Sequence, residues 1–225
     1  MPPETQHQSI RLFENDFMES LTHVHPIVPL LFWSPVSAFL IWRSVVVSEI
    51  PAGELALVAV AGLVVWTLSE YCLHRFLFHY PAKSELGKWL VFLFHGNHHH
   101  DPKEKTRLVM PPSGAVPIMA ALYLLFGLVL PQQWLEPFCA FFILGYLVYD
   151  YIHYATHHFP MKHPVAKYLK LYHLKHHFSG ETGRYGVSSP LWDLVFGTYM
   201  PLNKSWRAQQ KKAEKAAAAA TPSEA

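Results

Sequence analysis

The sequence predicts an all-α protein that sits in a membrane and holds a histidine-rich two-metal site in a helical cap. Three observations predict it. Hydrophobic residues make up 51% of the chain and charged residues 15%, well under the about 25% charged of soluble domains. Four stretches stay apolar for roughly the ~20 residues that a helix needs to cross a bilayer. Between and after them, 13 of the 16 histidines fall between His74 and His177, many at the three- and four-residue spacings that share one helix face.

In chain order, residues 1–26 set one basic residue, Arg11, against Glu4, Glu14, Asp16 and Glu19. With no positive leader and no early apolar run, this does not read as a cleavable signal peptide, and a short cytoplasmic segment is expected. The first apolar stretch covers about 27–47, with Arg43 near enough to its end to reach water. Pro51, Ala52 and Gly53 mark a turn before the second, about 52–72. The third covers about 113–130, after a break at Pro111 and Pro112, and the fourth about 134–152. Only a few residues separate the members of each pair, so they predict two helical hairpins. Core helices of a soluble bundle would need more amphipathic surface than four such segments leave.

The remaining stretches predict the cap. Residues 81–94 mix Lys83, Glu85 and Lys88 with Leu86, Trp89 and Leu90, which suits a helix lying at the membrane interface. Residues 101–107 are polar and loop-like. Residues 164–177 form a second amphipathic helix, and 188–199 a short one that stops at Gly197. The membrane-embedded domain thus covers 27–207, and the Lys- and Ala-rich residues 208–225 are expected to be disordered. Cys72 and Cys139 lie in apolar stretches and show no disulfide pattern. A net charge of +2 points to no nucleic-acid partner.

Orientation follows from the basic residues. Lys83, Lys88, Lys103, Lys105 and Arg107 lie between the second and third spans, and Lys162, Lys167, Lys170, Lys175 and others follow the fourth. The short hairpin loops, 48–51 and 131–137, contain none. Basic residues stay on the cytoplasmic side, so both termini and the histidines are expected there. The expectation is a multi-pass protein of a bacterial inner membrane, or of the endoplasmic reticulum in a eukaryote.

The histidines form four clusters: His74 and His79; His95, His98 and His99; His153 and His157; His173, His176 and His177. Each His-x-x-His-His cluster can turn its three rings one way. His74 and His79 are five apart, about 140° around an ideal helix, so the helix between them is expected to bend or fray. Ten imidazoles exceed the four ligands of a structural zinc or the three of a catalytic one. Divided between two ions they give five each, leaving one position of an octahedron open. Imidazole suits zinc, copper, iron and nickel and does not choose among them. A loose metal-sequestering tract would need neither four clusters at helical spacing nor membrane segments between them. His100, His158 and His163 fall outside the ten. Asp150, three residues before His153, is the first candidate to orient ligand rings. Glu70, four before His74, is the second, or else a helix-end charge. Tyr149 is either part of the site or a core aromatic.

Longer words surround these clusters: EYCLHRFLFH at 70–79, FHGNHHHDPKEKTRLVMPP at 94–112, YDYIHYATHH at 149–158, and YHLKHHF with GVSSPLWDLVFGTY across 172–199. On these the chain resembles the fatty acid hydroxylase superfamily of integral membrane di-metal enzymes, over about 55–201. Within it, the chain looks most like the fatty acid 2-hydroxylases that act on sphingolipid acyl chains. RLVMPP and WDLVFGTY are more specific than the histidines, which sterol desaturases and carotenoid hydroxylases share.

The resemblance implies two iron ions, with zinc able to replace them in a purified protein, and O2 as oxidant. It also implies a hydroxyl placed at carbon 2 of a long acyl chain of a membrane lipid. Ligands at the ends of spanning helices put the metals at headgroup depth, where carbon 2 lies, rather than deep in the ~30 Å core. Electrons would come from a separate carrier of cytochrome b5 or ferredoxin type. Eukaryotic members often carry a fused cytochrome b5 domain, for which residues 1–26 leave no room. Lys162, Lys167, Lys170 and Lys175 would either receive an acidic carrier or face anionic headgroups. The alternatives are a sterol- or carotenoid-type oxidase or desaturase of the same superfamily, and a non-enzymatic metal-binding membrane protein.

Overall fold

A computed structural model describes residues 9–179 and 182–202, and every regular element among them is helical. The tail expected at 208–225 lies outside the described residues. A short helix, α1 (Asp16–Ser20), is capped by the Asn15 side chain, which accepts from the amides of Phe17 and Met18. Helix α2 (Val28–Trp42) carries Pro29 in its first turn, where no intrahelical partner awaits an N–H, and runs on as a π-helical turn, Arg43–Val47. Helix α3 (Ala52–Cys72) likewise continues into a π-helical stretch, Leu73–Phe78. Then follow α4 (Glu85–Val91), a third π-helical turn (Phe92–Gly96), α5 (Asn97–His100), α6 (Pro112–Gly127), α7 (Gln132–His158), α8 (Pro164–Phe178) and α9 (Leu191–Val195).

Helix α7 is the centre of the bundle: 61% of its apolar stretch is buried inside the protein, against 17% for α2 and for α3. Its approach to α3 depends on two glycines. A Cβ at Gly62 would lie 2.7 Å from the Phe138 carbonyl oxygen, and one at Gly145 would lie 2.7 Å from Trp66 Cβ. Small residues let membrane helices close up in this way. Trp66 then packs edge-on against Phe142 and Tyr146 at 5.1 and 5.4 Å, an arrangement favoured by ring quadrupoles beyond simple burial. The outward faces of α2 and α3 leave Phe39, Trp42, Val60 and Val64 exposed, an apolar surface suited to lipid.

Three helices are long and apolar enough to cross a membrane: Val28–Val47, Ala52–Phe78 and Gln132–His158. Helix α6 has 16 residues, about 24 Å at the α-helical rise against the ~30 Å hydrocarbon core. Pro112 opens it and Gly127 ends it before Pro131. The four spans expected from the sequence therefore appear as three full-length helices and one shorter one. The apolar stretches expected to end at 72 and 152 continue as helix to Phe78 and His158, which carries His74, His153 and His157 out from the bundle.

The N-terminal segment folds back as a strap over residues 104–113. Arg107, 5% exposed at its side chain, donates to the Ile10 carbonyl, the Glu19 carboxylate, Thr22 Oγ1 and His23 Nε2. With Nε2 accepting from Arg107, His23 Nδ1 donates to Thr106 Oγ1 at 2.6 Å. The Val24 amide donates to the Thr106 carbonyl at 2.8 Å.

Candidate metal centre and active site

The ten clustered histidines come together in two groups of five. His74, His79, His95, His99 and His176 form one, and His98, His153, His157, His173 and His177 the other. The ligand atoms in each group all lie within 4.8 Å of one another. His100 is exposed, and neither it nor His158 nor His163 enters a group. Between His74 and His79 the helix neither frays nor bends but widens. The His79 amide reaches the His74 carbonyl at 3.1 Å, and this i→i+5 winding brings residues five apart to one face. The π-helical turn before α5 is supported by Asn97, whose side-chain amide donates to the Phe92 and Leu93 carbonyls at 3.0 and 2.6 Å.

The two His-x-x-His-His clusters do not turn three rings one way. Their pairs four apart, His95 with His99 and His173 with His177, each stay in one group, while His98 and His176 go to the opposite group. Neighbours on a helix differ by about 100°, which is why the odd ring is sent elsewhere. Helices α5 and α8 therefore serve both groups.

Each group suits a cation. The Nδ1 of His74 donates to the Tyr185 carbonyl at 2.5 Å, and that of His176 to the Gly183 carbonyl at 2.8 Å. Both rings thus turn a bare Nε2 lone pair inward. Neighbouring Nε2 atoms approach to 3.0–3.2 Å in the first group and 2.8–3.0 Å in the second. Nitrogens bound at about 2.1 Å sit about 3.0 Å apart when at right angles and about 3.4 Å apart when tetrahedral, so the spacing matches an octahedral edge. Burial pushes the imidazoles of His79 and His176 down to about 4 and that of His99 to about 3. It lowers those of His95, His98, His173 and His177 as well. Neutral rings are the form that binds metal.

Two buried carboxylates build the loop that offers those carbonyls. Asp193 accepts from the amides of Tyr185 and Gly186 at 2.9 and 2.8 Å and from Thr198 Oγ1 at 2.6 Å. Glu70 accepts from the amides of Val187 and Ser188 at 2.7 and 2.9 Å and from the Ser188 hydroxyl. Gly186 fits because a Cβ there would meet the Ser189 carbonyl oxygen at 2.0 Å. Glu70 is buried rather than a helix-end charge, and it acts on the loop. Asp150 accepts from the Tyr146 hydroxyl at 3.2 Å, and Tyr149 lies with its ring 5.7 Å from that of His153. The sequence reading did not single out Asp193, Tyr185 or Gly183. WDLVFGTY marked Asp193 only as part of a family word.

Beside the histidines lies a cavity of about 300 Å³. His95, His98 and His153 stand at one side, and its walls run past Trp66, Tyr149 and Asp150 to Met119 and Leu122 of α6. Apart from the histidines, its charged lining residues are Arg107, engaged by the strap, and Asp150. The basic face expected on α8 is smaller than the sequence implied. Lys175 is buried and donates to the Pro201 carbonyl, and Lys170 donates to the Phe159 carbonyl, while Lys162 and Lys167 are exposed.

Comparison with known proteins agrees with this geometry. The family model described as Fatty acid hydroxylase matches residues 59–198. Dihydroceramide fatty acyl 2-hydroxylase FAH2 of Arabidopsis thaliana is 39% identical over 190 residues, 84% of this chain and 79% of the relative. Ceramide very long chain fatty acid hydroxylase SCS7 of Saccharomyces cerevisiae is 38% identical over 203 residues, 87% of this chain and 52% of the relative. A solved structure of Scs7p, in which only the hydroxylase domain is visible, superimposes with a TM-score of 0.78 at 38% identity, covering 84% of this chain and 71% of that one. The chain belongs to the fatty acid hydroxylase family.

Proposed function

We propose that the protein is an O2-dependent di-iron hydroxylase that places a hydroxyl on carbon 2 of a lipid acyl chain. The observation that carries this reading is the pair of five-imidazole groups beside an apolar chamber. Each group would hold one iron and leave a coordination position for oxygen. Bound iron supplies the activation of O2 for insertion into a C–H bond. The balance takes one O2, two electrons and two protons and releases one water with the hydroxylated chain.

This chain's residues do the remaining work. The Tyr185 and Gly183 carbonyls hold His74 and His176 in one tautomer and orientation. The apolar walls bind the acyl chain and exclude water, with His95, His98 and His153 beside its reacting end. Arg107 has its charge matched by Glu19 and four of its five N–H donors engaged by the strap. The chamber therefore offers no free cation for a carboxylate, and an amide-linked acyl chain fits better than a free acid. This agrees with the ceramide and dihydroceramide substrates in the names of SCS7 and FAH2. Electrons come from a separate carrier meeting the cap, with the histidine side of the bundle in the cytoplasm.

The test is expression in a host that makes ceramides without 2-hydroxylation, with the acyl products read by mass spectrometry and metal counted in the pure protein. The expected result is 2-hydroxylated N-acyl chains and two ions per chain, iron in iron-replete cells and zinc in iron-poor ones, since zinc binds such sites more tightly. Unmodified ceramides from a two-iron protein with a supplied electron donor, or a single ion per chain, would overturn the reading.

A further inference from the structure

We propose that the N-terminal strap carries specificity-determining side chains: Leu12, Phe13, Met18 and Leu21 form the wall that selects which acyl chains the chamber accepts, and Arg107 positions that wall. The inference rests on reading the chamber as the acyl site. All four side chains line the same cavity as His95, His98 and His153. Yet the strap lies wholly outside residues 59–198, the part shared with the family model.

The other walls come from packed helices. Trp66 belongs to α3, Tyr146 and Tyr149 to α7, Ala115 and Ile118 to α6, and each is fixed by its own helix. The strap wall is held differently. Helix α1 buries none of its residues, and Phe17 is 69% exposed. Val24 packs on Leu108, Val109 and Tyr154 where the strap ends, but what fixes its wall-forming part is mainly polar. Glu19 accepts from the amides of Leu12 and Phe13 at 3.0 and 2.9 Å, folding those residues toward the cavity, and the Arg107 guanidinium ties Glu19 to the cap. Ser113 adds a hydrogen bond to the Leu21 carbonyl at 3.2 Å. Phe13 also meets Trp89 of α4 edge-on at 5.6 Å, which sets how far its ring enters. A wall of four large apolar side chains on a polar latch can change size without repacking the bundle, so it is where one scaffold is tuned to different chains.

The experiment compares 2-hydroxylation of N-acyl amides with saturated chains of graded length in detergent micelles, alongside the Kd of a fluorescent N-acyl amide for the metal-loaded protein. Phe13→Ala with Met18→Ala enlarges the strap wall and is expected to raise kcat/KM for a long chain relative to a short one roughly tenfold, the scale that a methylene or two carries in an apolar pocket. Leu21→Trp should move the ratio the other way. Arg107→Met should raise KM and the probe Kd while kcat holds, and Arg107→Lys should restore part of the affinity. A merely structural role would reduce the folded fraction, lowering kcat at an unchanged KM and probe Kd, without rescue. Leu122→Trp, at the opposite wall, is the control. If it shifts the chain-length profile and the strap variants do not, the strap proposal is overturned while the chamber reading stands. If neither shifts it, both fall.

Discussion

His74 is held at both ends of its ring: Nδ1 on the Tyr185 carbonyl and Nε2 among four other imidazoles. The hold on Nδ1 depends on Asp193, which shapes the loop through the Tyr185 and Gly186 amides. Removing a partner behind a metal-binding histidine typically costs about 10–100-fold in metal affinity. Asp193→Ala is therefore expected to weaken the His74 group by about that factor and to spare the other group. Chelator titration followed by metal counting should show one ion leaving first, and equal loss of both would refute the division of labour. The ten histidines were legible because their spacing is local. Which rings share an ion was legible in principle, since a pair four apart on a helix must face together and an adjacent ring cannot. Asp193 was not, because its partners Tyr185 and Gly186 meet it only through a turn of the loop, with no periodic signal.

At the scale of elements, the π-helical stretch Leu73–Phe78 decides where His79 points. Inserting one alanine after Phe76, which is 59% exposed, should shift His79 by one residue step, about 100°, out of its group. The expected outcome is a folded protein with reduced metal content, and retention of both ions would exclude the proposed role of the wide turn. The strap offers a pH test. Burial pushes the Glu19 carboxyl up, but the Phe13 and Leu12 amides and the Arg107 guanidinium outweigh it and leave it below its ordinary value. A lowered folded-state pKa stabilises at pH above the unfolded value and is lost as pH falls through the folded one. The Tm gap between wild type and Glu19→Gln should be present at neutral pH and close in the acid range. A gap that persists below the carboxylate range would mean that Glu19 works by shape alone. The sequence showed the apolar helices and the amphipathic α4 and α8, because period and length carry them. It showed Arg107 only as a topogenic charge and as the first letter of RLVMPP, since ties across 84–97 residues leave no local trace.

For the whole molecule, the fold class and family followed from composition and motif, and the helix limits did not. Helices α3 and α7 outrun their apolar stretches because the histidine-bearing turns keep the backbone hydrogen-bonded, in π winding after α3 and in α winding at the end of α7. Helix α6 falls short because Gly127 and Pro131 stop it while the sequence around them stays apolar. The proposed orientation is open to test with single cysteines in membrane vesicles. One at Gln132, the first residue of α7, should react with an impermeant reagent from the outer side, and one at exposed Lys103 should not. The reverse pattern would invert the topology.

The split of the two His-x-x-His-His clusters has a consequence for how the enzyme matures. The bundle alone presents two unfinished half-sites, His74 with His79 on one helix end and His153 with His157 on another. Helices α5 and α8 each bring rings to both. A first ion captured on one side would therefore draw both cap helices into register for the second, making loading a self-templating step in folding. Such ions would take the place of the covalent staples that Cys72 and Cys139, both free thiols, do not supply.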